Sequence, residues 1–556
     1  MSSDFEQETA TSESISTNGR KTRLQRVRSF LAGVAYTALV VVIVACPVGI
    51  VVLRWRAESI GFDVANVGTF VLGFLALLAL IPLILLQSHV RLLNRLLAVS
   101  VVVILIWAPF LTLRVQGFDG RLMPIVRWRW APEQEELPEA PEISADQRQV
   151  DLATRTPDDF PQFLGPGRNA DLPHVQLKRD WKAHSPTLLW RRPIGAGWSS
   201  ISAVNGYAVT MEQRREKEIV TCYSIDSGEV KWARGHAARH ETVMGGVGPR
   251  STPTIHEGFV YALGATGYLS CLDGATGELV WDDDLRQRCG VTKQQDLAAV
   301  SWGRAASPLV AHDLLVVPLG GPREGTCYSL IAYDKTSGDV RWMGGDQQIS
   351  YASPSLETLC GREQIVIVNE NAVSGHRLDD GQVLWSYDWE GQSNGEPNCS
   401  QAVVLSDNRV LLTNRRKAEL IQLEPAANDS LRAKSIWLAH GKLKTKFTNV
   451  VVRDGYIYGL SDGILECVEL ATGQRCWKSR RGNYGHGQIL GVGDVILVQA
   501  ESGHVVMVEF NPDQLVELGR FEALSERTWN NPCLFGSTLL VRNASEIACY
   551  RLPLRQ

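Results

Sequence analysis

Two kinds of hydrophobic patterning divide this chain. Up to about residue 113 the apolar residues come in unbroken stretches, at about 29–53, 67–87 and 96–113, with no charge inside any of them. A hydrocarbon core of about 30 Å takes roughly 20 helical residues, so each stretch predicts a membrane-crossing helix. From about residue 160 the pattern changes to short runs in which apolar and polar residues alternate, separated by turns rich in Gly, Asp, Ser and Thr. That alternation predicts half-buried strands.

The strands repeat. In CYSIDSGEVKW (Cys222 to Trp232), CLDGATGELVW (Cys271 to Trp281), AYDKTSGDVRW (Ala332 to Trp342), GHRLDDGQVLW (Gly375 to Trp385) and CVELATGQRCW (Cys467 to Trp477), a Gly stands four residues before a Trp. A small residue stands ten before it. The turn supplies a side chain to bond its own backbone and then a residue free to take positive φ, so each segment reads as a hairpin with the Trp on its outgoing strand. Two further apolar runs precede each hairpin, giving four strands per unit. Trp190, Trp232, Trp281, Trp342, Trp385, Trp437 and Trp477 follow one another at roughly forty to sixty residues, the period of a propeller blade. Strand starts near 198, 250, 306, 352, 399, 447, 485 and 530 predict eight blades. The last unit ends before reaching a Trp, whereas TLLW (Thr187 to Trp190) stands alone ahead of the first, so it is expected to complete the final blade and close the ring. Units five and seven are irregular: Trp437 follows the loop PAANDSLRA, and Phe521 stands where a Trp is expected.

The pattern Ala-x-Asp-x-x-Thr-Gly-x-x-x-Trp resembles the repeat of the pyrroloquinoline quinone (PQQ) type propellers, which include quinoprotein alcohol dehydrogenases and the non-catalytic propeller lipoprotein of outer-membrane barrel assembly. FPQFLGP (Phe160 to Pro166), GPRSTP (Gly248 to Pro253) and ALGATG (Ala262 to Gly267) look like a membrane-anchored bacterial branch of that family. The predicted fold class is therefore an all-β, eight-bladed PQQ-type propeller preceded by three transmembrane helices. The expected domains are a disordered basic cytoplasmic tail (1–28), a membrane domain (29–113), an acidic Pro-rich linker (114–159) and the propeller (160–556).

Charge adds a topology. Arg20, Lys21, Arg23, Arg26 and Arg28 precede the first stretch, and Arg91 and Arg95 follow the second. The positive-inside rule puts these in the cytoplasm, so three crossings of the inner membrane deliver the propeller to the periplasmic side. Arg54 and Arg56 in the first loop act against this, offset by Glu58 and Asp63. Ile43-Val44-Ala45-Cys46 also fits a lipoprotein cleavage box, but the apolar run continues past it and two more spans follow. A net charge of −4 over 556 residues, with no basic stripe, gives no support for nucleic-acid binding.

Of the eleven cysteines, Cys222, Cys271, Cys467 and Cys549 fall in the small-residue slot of the repeat and are expected to be buried packing residues. Cys467 and Cys476 lie on the two arms of one hairpin, where a bridge is open as an alternative. No Cys-x-x-Cys-His occurs for haem attachment. His236 and His240 have the spacing of two metal ligands on a helical turn, but no third ligand accompanies them, so a metal is not expected.

Ligands of a propeller gather at the inner strand starts around the channel. The channel-binding candidates on this map are Arg250, Thr252, Trp302, Tyr351, Asn398, Lys446, His486 and Asn530. Such a ring suits a planar anionic ligand, with Arg250 or Lys446 on its oxygens and Trp302 stacked upon it. The same Ser, Thr and Pro residues also have a purely structural use at strand starts. What the resemblance implies for catalysis is PQQ with calcium and an Asp base. Asp296 and Glu396 lie in loops that could supply base or calcium ligand, yet neither stands in a matching motif, and the adjacent cysteine pair common in the dehydrogenases is missing. The reading favoured is a membrane-anchored extracytoplasmic scaffold for a ligand or envelope protein, with a quinoprotein dehydrogenase passing electrons to membrane quinone as the alternative.

Overall fold

The computed structural model describes residues 4–131, 137, 150–242, 244–428 and 430–555, in two compact units divided between Glu133 and Gln134. In the first unit, helices α1 (Asp4–Trp55), α2 (Ala57–Ile60), α3 (Phe62–Leu86) and α4 (Leu92–Thr112) lead into a hairpin of β1 (Leu113–Phe118) and β2 (Pro124–Trp128). Three segments are long and apolar enough to cross a membrane, Phe30–Trp55, Phe62–Leu86 and Leu92–Thr112. Two boundaries differ from expectation. Helix α1 starts at Asp4, so 4–28 extends the first span instead of forming a disordered tail; from Arg20 to Phe30 neither Gly nor Pro interrupts good helix formers, and the span supplies the nucleus that an isolated segment lacks. The expected linker is folded at both ends, as the hairpin at 113–128 and as a loop from Val150 that packs on the propeller. Most of 132–149 lies outside the described residues.

The second unit is the eight-bladed propeller. Blades 1 to 8 span 202–237, 254–284, 309–344, 355–388, 403–440, 450–483, 488–522 and 533–551, and Thr187–Pro193 completes blade 8. Its Trp190 pairs with Cys549 across the last hairpin, as the lone TLLW motif predicted. The five turn glycines, Gly228, Gly277, Gly338, Gly381 and Gly473, all have φ between 66° and 78°. They serve the neighbouring blade as well as their own turn. A Cβ on Gly228, Gly277, Gly338 or Gly473 would lie 2.6–2.7 Å from the indole of Trp190, Trp232, Trp281 or Trp437, the Trp of the preceding blade. The indole N–H of each of these tryptophans donates to a carbonyl beside that turn, on Ile225, Gly274, Lys335 and Leu470, at 2.6–3.1 Å. Trp342 and Trp477 do the same to Leu378 and Asn511.

The irregular units obey the same geometry. Blade 5 extends its outer hairpin to arms of nine and ten residues, which moves the turn away from blade 4. Trp385 therefore donates back to Gln364 Oε1 of its own blade at 2.6 Å. In blade 7 the register puts Gly519, not Phe521, in the Trp slot, opposite Met507 and next to the bulge. Trp181, delivered from the segment before blade 8, covers Gly519 and meets Phe521 edge-on at 5.6 Å. All eleven cysteines are free thiols, and Cys222, Cys271, Cys467 and Cys549 are fully buried, as the small-residue slot implied.

Gly473→Ala tests the docking. Its Cβ would stand 2.7 Å from Trp437 at φ 66°, whereas Gly206, at φ 81°, has nothing within 4 Å. Gly206→Ala is expected to lose about 1 kcal/mol for the left-handed backbone, and Gly473→Ala a further ~1–3 kcal/mol for the clash, measured by urea unfolding of the two variants. Equal losses would show that the Trp contact contributes nothing.

Candidate binding site at the channel mouth

The inner strand of a blade has a neighbour on one side only, so its inward N–H and C=O groups need partners in another blade. The strand-start hydroxyls and amides provide them around the whole ring. Ser200 N–H donates to Thr252 Oγ1 (3.2 Å), Thr252 N–H to Ser307 Oγ (2.9 Å) and Ser307 N–H to Ser353 Oγ (2.9 Å). Gln401 Nε2 donates to Ser353 O (3.2 Å) and Gln401 N–H donates to Asn449 Oδ1 (2.9 Å), linking blades 4, 5 and 6. Gln488 reaches Phe447 O and Trp529 O, and Ser200 Oγ reaches Asn531 O, which closes blades 6, 7, 8 and 1. Thr252 thus belongs to a structural belt. So do Asn398, whose Nδ2 donates to the carbonyls of Asn369, Glu370 and Trp389, and Asn530, whose Nδ2 donates to Ser199 O and Gly197 O.

The far end of the channel is closed by the chain itself. Phe160 exchanges both backbone hydrogen bonds with Ala203 of blade 1, and Ile255 N–H of blade 2 donates to Pro161 O. Arg168 donates to Ser307 O and Pro308 O of blade 3, Asp171 pairs with Arg453 of blade 6, and Asp171–Leu172 adds a parallel strand beside Gly491–Val492 of blade 7. The motif FPQFLGP therefore opens a segment that crosses the channel at this end, from blades 1, 2 and 3 to blades 6 and 7. Burial lowers the Arg168 guanidinium to about 10, with Glu357 acting to raise it.

The mouth at the strand starts carries two aromatic groups. Trp302 lies 5.5 Å from Tyr351, whose hydroxyl accepts Trp302 N–H and donates to Ser393 O. Trp198, whose Nε1–H donates to Gly245 O (2.6 Å), lies 4.8 Å from Trp529, which meets Phe447 edge-on at 5.2 Å, and His486 lies 5.6 Å from Phe447. The Arg527 guanidinium stands over both Trp529 (4.3 Å) and Trp198 (5.0 Å). Trp529 and Arg527 were not among the expected residues, although Trp529-Asn530-Asn531-Pro532 occupies the same strand-start position as Trp198.

The predicted cations are engaged. Arg250 turns its guanidinium onto the carbonyls of Gly245, Gly246 and Gly248, and burial brings it down to about 10, with Tyr351 and Glu218 acting to raise it. Lys446 lies 3.9 Å from Asp462, which Lys444 also pairs. His240 sits behind Arg250; burial first, and then the Arg250 charge, lower it to about 3, so it is neutral at physiological pH. His236 stacks flat on Tyr268 at 3.6 Å, apart from any metal arrangement. His236 and Tyr268 also line a cavity of about 160 Å³ between blades 1 and 2, with Met211, Glu218, Arg234 and Ser270. Burial raises Glu218 to about 7, outweighing the Ala265 N–H that it accepts at 3.0 Å.

The donor set does not fit calcium and a quinone. Asp296, in the short helix Lys293–Ala299, is buried against Arg304 at 2.8 Å, and Glu396 pairs with Arg416 on an outer loop. Glu501 receives Trp529 Nε1–H and His486 N–H, and Glu370 receives Ser393 N–H and Arg323. Among the described residues no three His, Cys, Asp or Glu side chains are grouped to hold a metal.

Fold and mouth together define an eight-bladed propeller of the PQQ-like repeat class, attached to a bundle of apolar helices. Residues 183–479 match the family of the outer membrane protein assembly factor BamB, and the chain belongs to that family. BamB of Yersinia pestis is 24% identical over 296 residues, which cover 51% of this chain and 69% of that protein. Among solved structures, a europium-containing methanol dehydrogenase superposes with a TM-score of 0.55 at 10% identity, over 73% of this chain and 99% of its own. A quinohaemoprotein alcohol dehydrogenase from Comamonas testosteroni gives 0.53 at 11%, over 74% and 84%. At such identities the two dehydrogenases share the fold with this chain and nothing more is carried over from them.

Proposed function

We propose that the chain is a non-catalytic, membrane-anchored scaffold whose propeller binds an envelope protein at the open mouth, in the assembly of the cell envelope. The N-terminus is cytoplasmic, the helices cross the inner membrane, and three crossings put the propeller on the periplasmic side. The observation that carries this reading is the Trp198–Trp529 pair under Arg527, partly exposed at the strand-start end of the channel. Trp and Arg dominate the energetics of protein interfaces when they cluster at a desolvated centre. The name of the Yersinia relative supports an assembly role, and Asp296, Glu396, Glu501 and Glu370 are each engaged by protein donors.

The test uses the full chain in living cells with a photo-crosslinking residue at Trp198 or Trp529. A discrete adduct with an envelope protein is expected from both positions, and Arg527→Glu is expected to weaken it at least tenfold, the loss of an interface residue worth more than about 1.4 kcal/mol. Absence of a discrete adduct at either position overturns the site. For the enzyme reading, PQQ and calcium are added to the purified chain; stoichiometric quinone absorbance with alcohol-dependent dye reduction would replace the scaffold by a dehydrogenase.

A further inference from the structure

The hairpin of β1 and β2 turns about Asp119, whose Oδ1 accepts the N–H groups of Arg121 (2.9 Å) and Met123 (2.8 Å). Its antiparallel register pairs Leu113 with Trp128 and Val115 with Val126, and between them Arg114 with Arg127. Successive residues of a strand point to opposite faces, so one face of the ribbon is apolar and the other cationic. The apolar face is open: Val115, Val126 and Trp128 are 54%, 44% and 54% exposed, and Trp130, 68% exposed, stacks on Trp128 at 5.3 Å. A two-stranded ribbon with such a face in water is marginal at best. Yet this one is fixed to the helices. Arg129 N–H donates to Thr112 O (2.8 Å), Asn66 Nδ2 donates to Arg121 O (2.8 Å), and the Arg121 guanidinium lies 4.4 Å over the Phe62 ring. Arg54 donates to the same Asn66 at 2.8 Å. The hairpin is thus held where α1 ends, α3 begins and α4 ends.

We propose that this hairpin is an interfacial anchor that binds the surface of the lipid bilayer, with its apolar face in the upper acyl region and its arginines on the phosphates of anionic lipids. The inference rests on the three helices being membrane spans, because β1 follows α4 directly and the last turns of α4 expose Trp107, Phe110 and Leu111. Trp at the headgroup level is the usual boundary residue of a span. Arg buries its stem along apolar surface while its head reaches phosphate, which it grips through paired N–H donors. Arg114 and Arg129 are tied to the ribbon through Ala131 O and Leu113 O, at 3.2 Å each, and with Arg127 they outnumber the one acidic residue of the hairpin, Asp119.

The full chain is reconstituted in vesicles of phosphatidylcholine with phosphatidylglycerol, brominated near the top of the acyl chains, and compared with Trp128→Phe/Trp130→Phe. The expected result is that the double variant loses a fraction of the bromine-quenched emission and none of the iodide-quenched emission. Loss of iodide-quenched emission alone would put the hairpin in water, and loss of neither would put it under protein; both results overturn the proposal. Absence of bromine quenching from every Trp would instead remove the membrane spans, Trp107 of α4 included. Each arginine near an anionic surface adds about fivefold to its attraction. Arg127→Gln/Arg129→Gln is therefore expected to reduce phosphatidylglycerol retained per protein several-fold, by mass spectrometry after detergent exchange, with phosphatidylcholine unchanged. Equal retention of both lipids by the variant and the unaltered chain would refute the phosphate contact.

Discussion

Replacing Arg542 by Met is expected to lower the unfolding free energy of the propeller by about 4 kcal/mol, because it strands several buried acceptors at once. Arg542 lies in the second strand of blade 8 and is 1% exposed. Its NH1 donates to Met211 O (2.7 Å) and Thr210 Oγ1 (2.9 Å) of blade 1, and its NH2 to Gly195 O (2.9 Å) and Gly197 O (3.3 Å) in the segment joining the closing strand to blade 1. One side chain therefore fastens the last blade to the first. Burial costs it some of its charge preference, bringing it down to about 10, while the nearby Glu212 acts to raise it. Methionine fills the volume and leaves the carbonyls unpaired, each at about 1–3 kcal/mol, without full additivity. Lysine keeps the charge but cannot span four acceptors with a compact ammonium, so Arg542→Lys is expected to fall between the two. Urea unfolding of the detergent-solubilised full chain, followed by Trp fluorescence, is the measurement. A Met variant within about 1 kcal/mol of the unaltered chain would mean that Trp190 and the strand pairing close the ring unaided.

The closure also shows what a sequence of this kind makes legible. The Gly-to-Trp spacing is local, lying within one hairpin, and from it followed the positive φ of the turns, the docking Trp and the burial of four cysteines. The closing strand was readable because a blade motif was broken at one end of the repeat and completed at the other. Contacts made by unrelated segments left no such trace. Gly519 holds the Trp slot of blade 7 because Trp181 arrives from more than three hundred residues away, and the nearest aromatic residue in the sequence, Phe521, took its place in the expectation. Of the channel candidates, Thr252, Asn398 and Asn530 have their polar atoms in the belt. A side chain that reads as free in an alternating strand is committed once the next blade's backbone needs it. Arg250 is the clearest case, since three consecutive-loop carbonyls take the guanidinium that was expected to face a ligand. Trp529, Phe447 and Arg527 became a site only when blades 6, 7, 8 and 1 were brought together.

Glu218→Gln is expected to make the propeller more stable above pH 7 by up to about 3 kcal/mol and to change it little near pH 4. The carboxyl is 4% exposed, and burial raises it from the ordinary Glu value to about 7. An acid raised in the folded state holds its proton there while the unfolded chain has released it, so folding is favoured below the unfolded pKa and this advantage is lost as pH rises to the folded one. A rise of roughly 2.5 units corresponds to about 3 kcal/mol at 1.36 kcal/mol per unit. Gln keeps an acceptor for the Ala265 N–H and has no charge to bury, so the pH-dependent loss between about 4.5 and 7 should vanish in the variant. Burial also raises the half-buried Glu357; the difference between the two proteins at pH 5 and pH 8 isolates Glu218. Gly264 bears on the same carboxyl, because a Cβ there would collide with Glu218 Oε2. Identical pH profiles for the Gln variant and the unaltered chain would mean that water reaches the carboxyl through the cavity beside His236 and Tyr268, which would make that cavity an open cleft between blades 1 and 2.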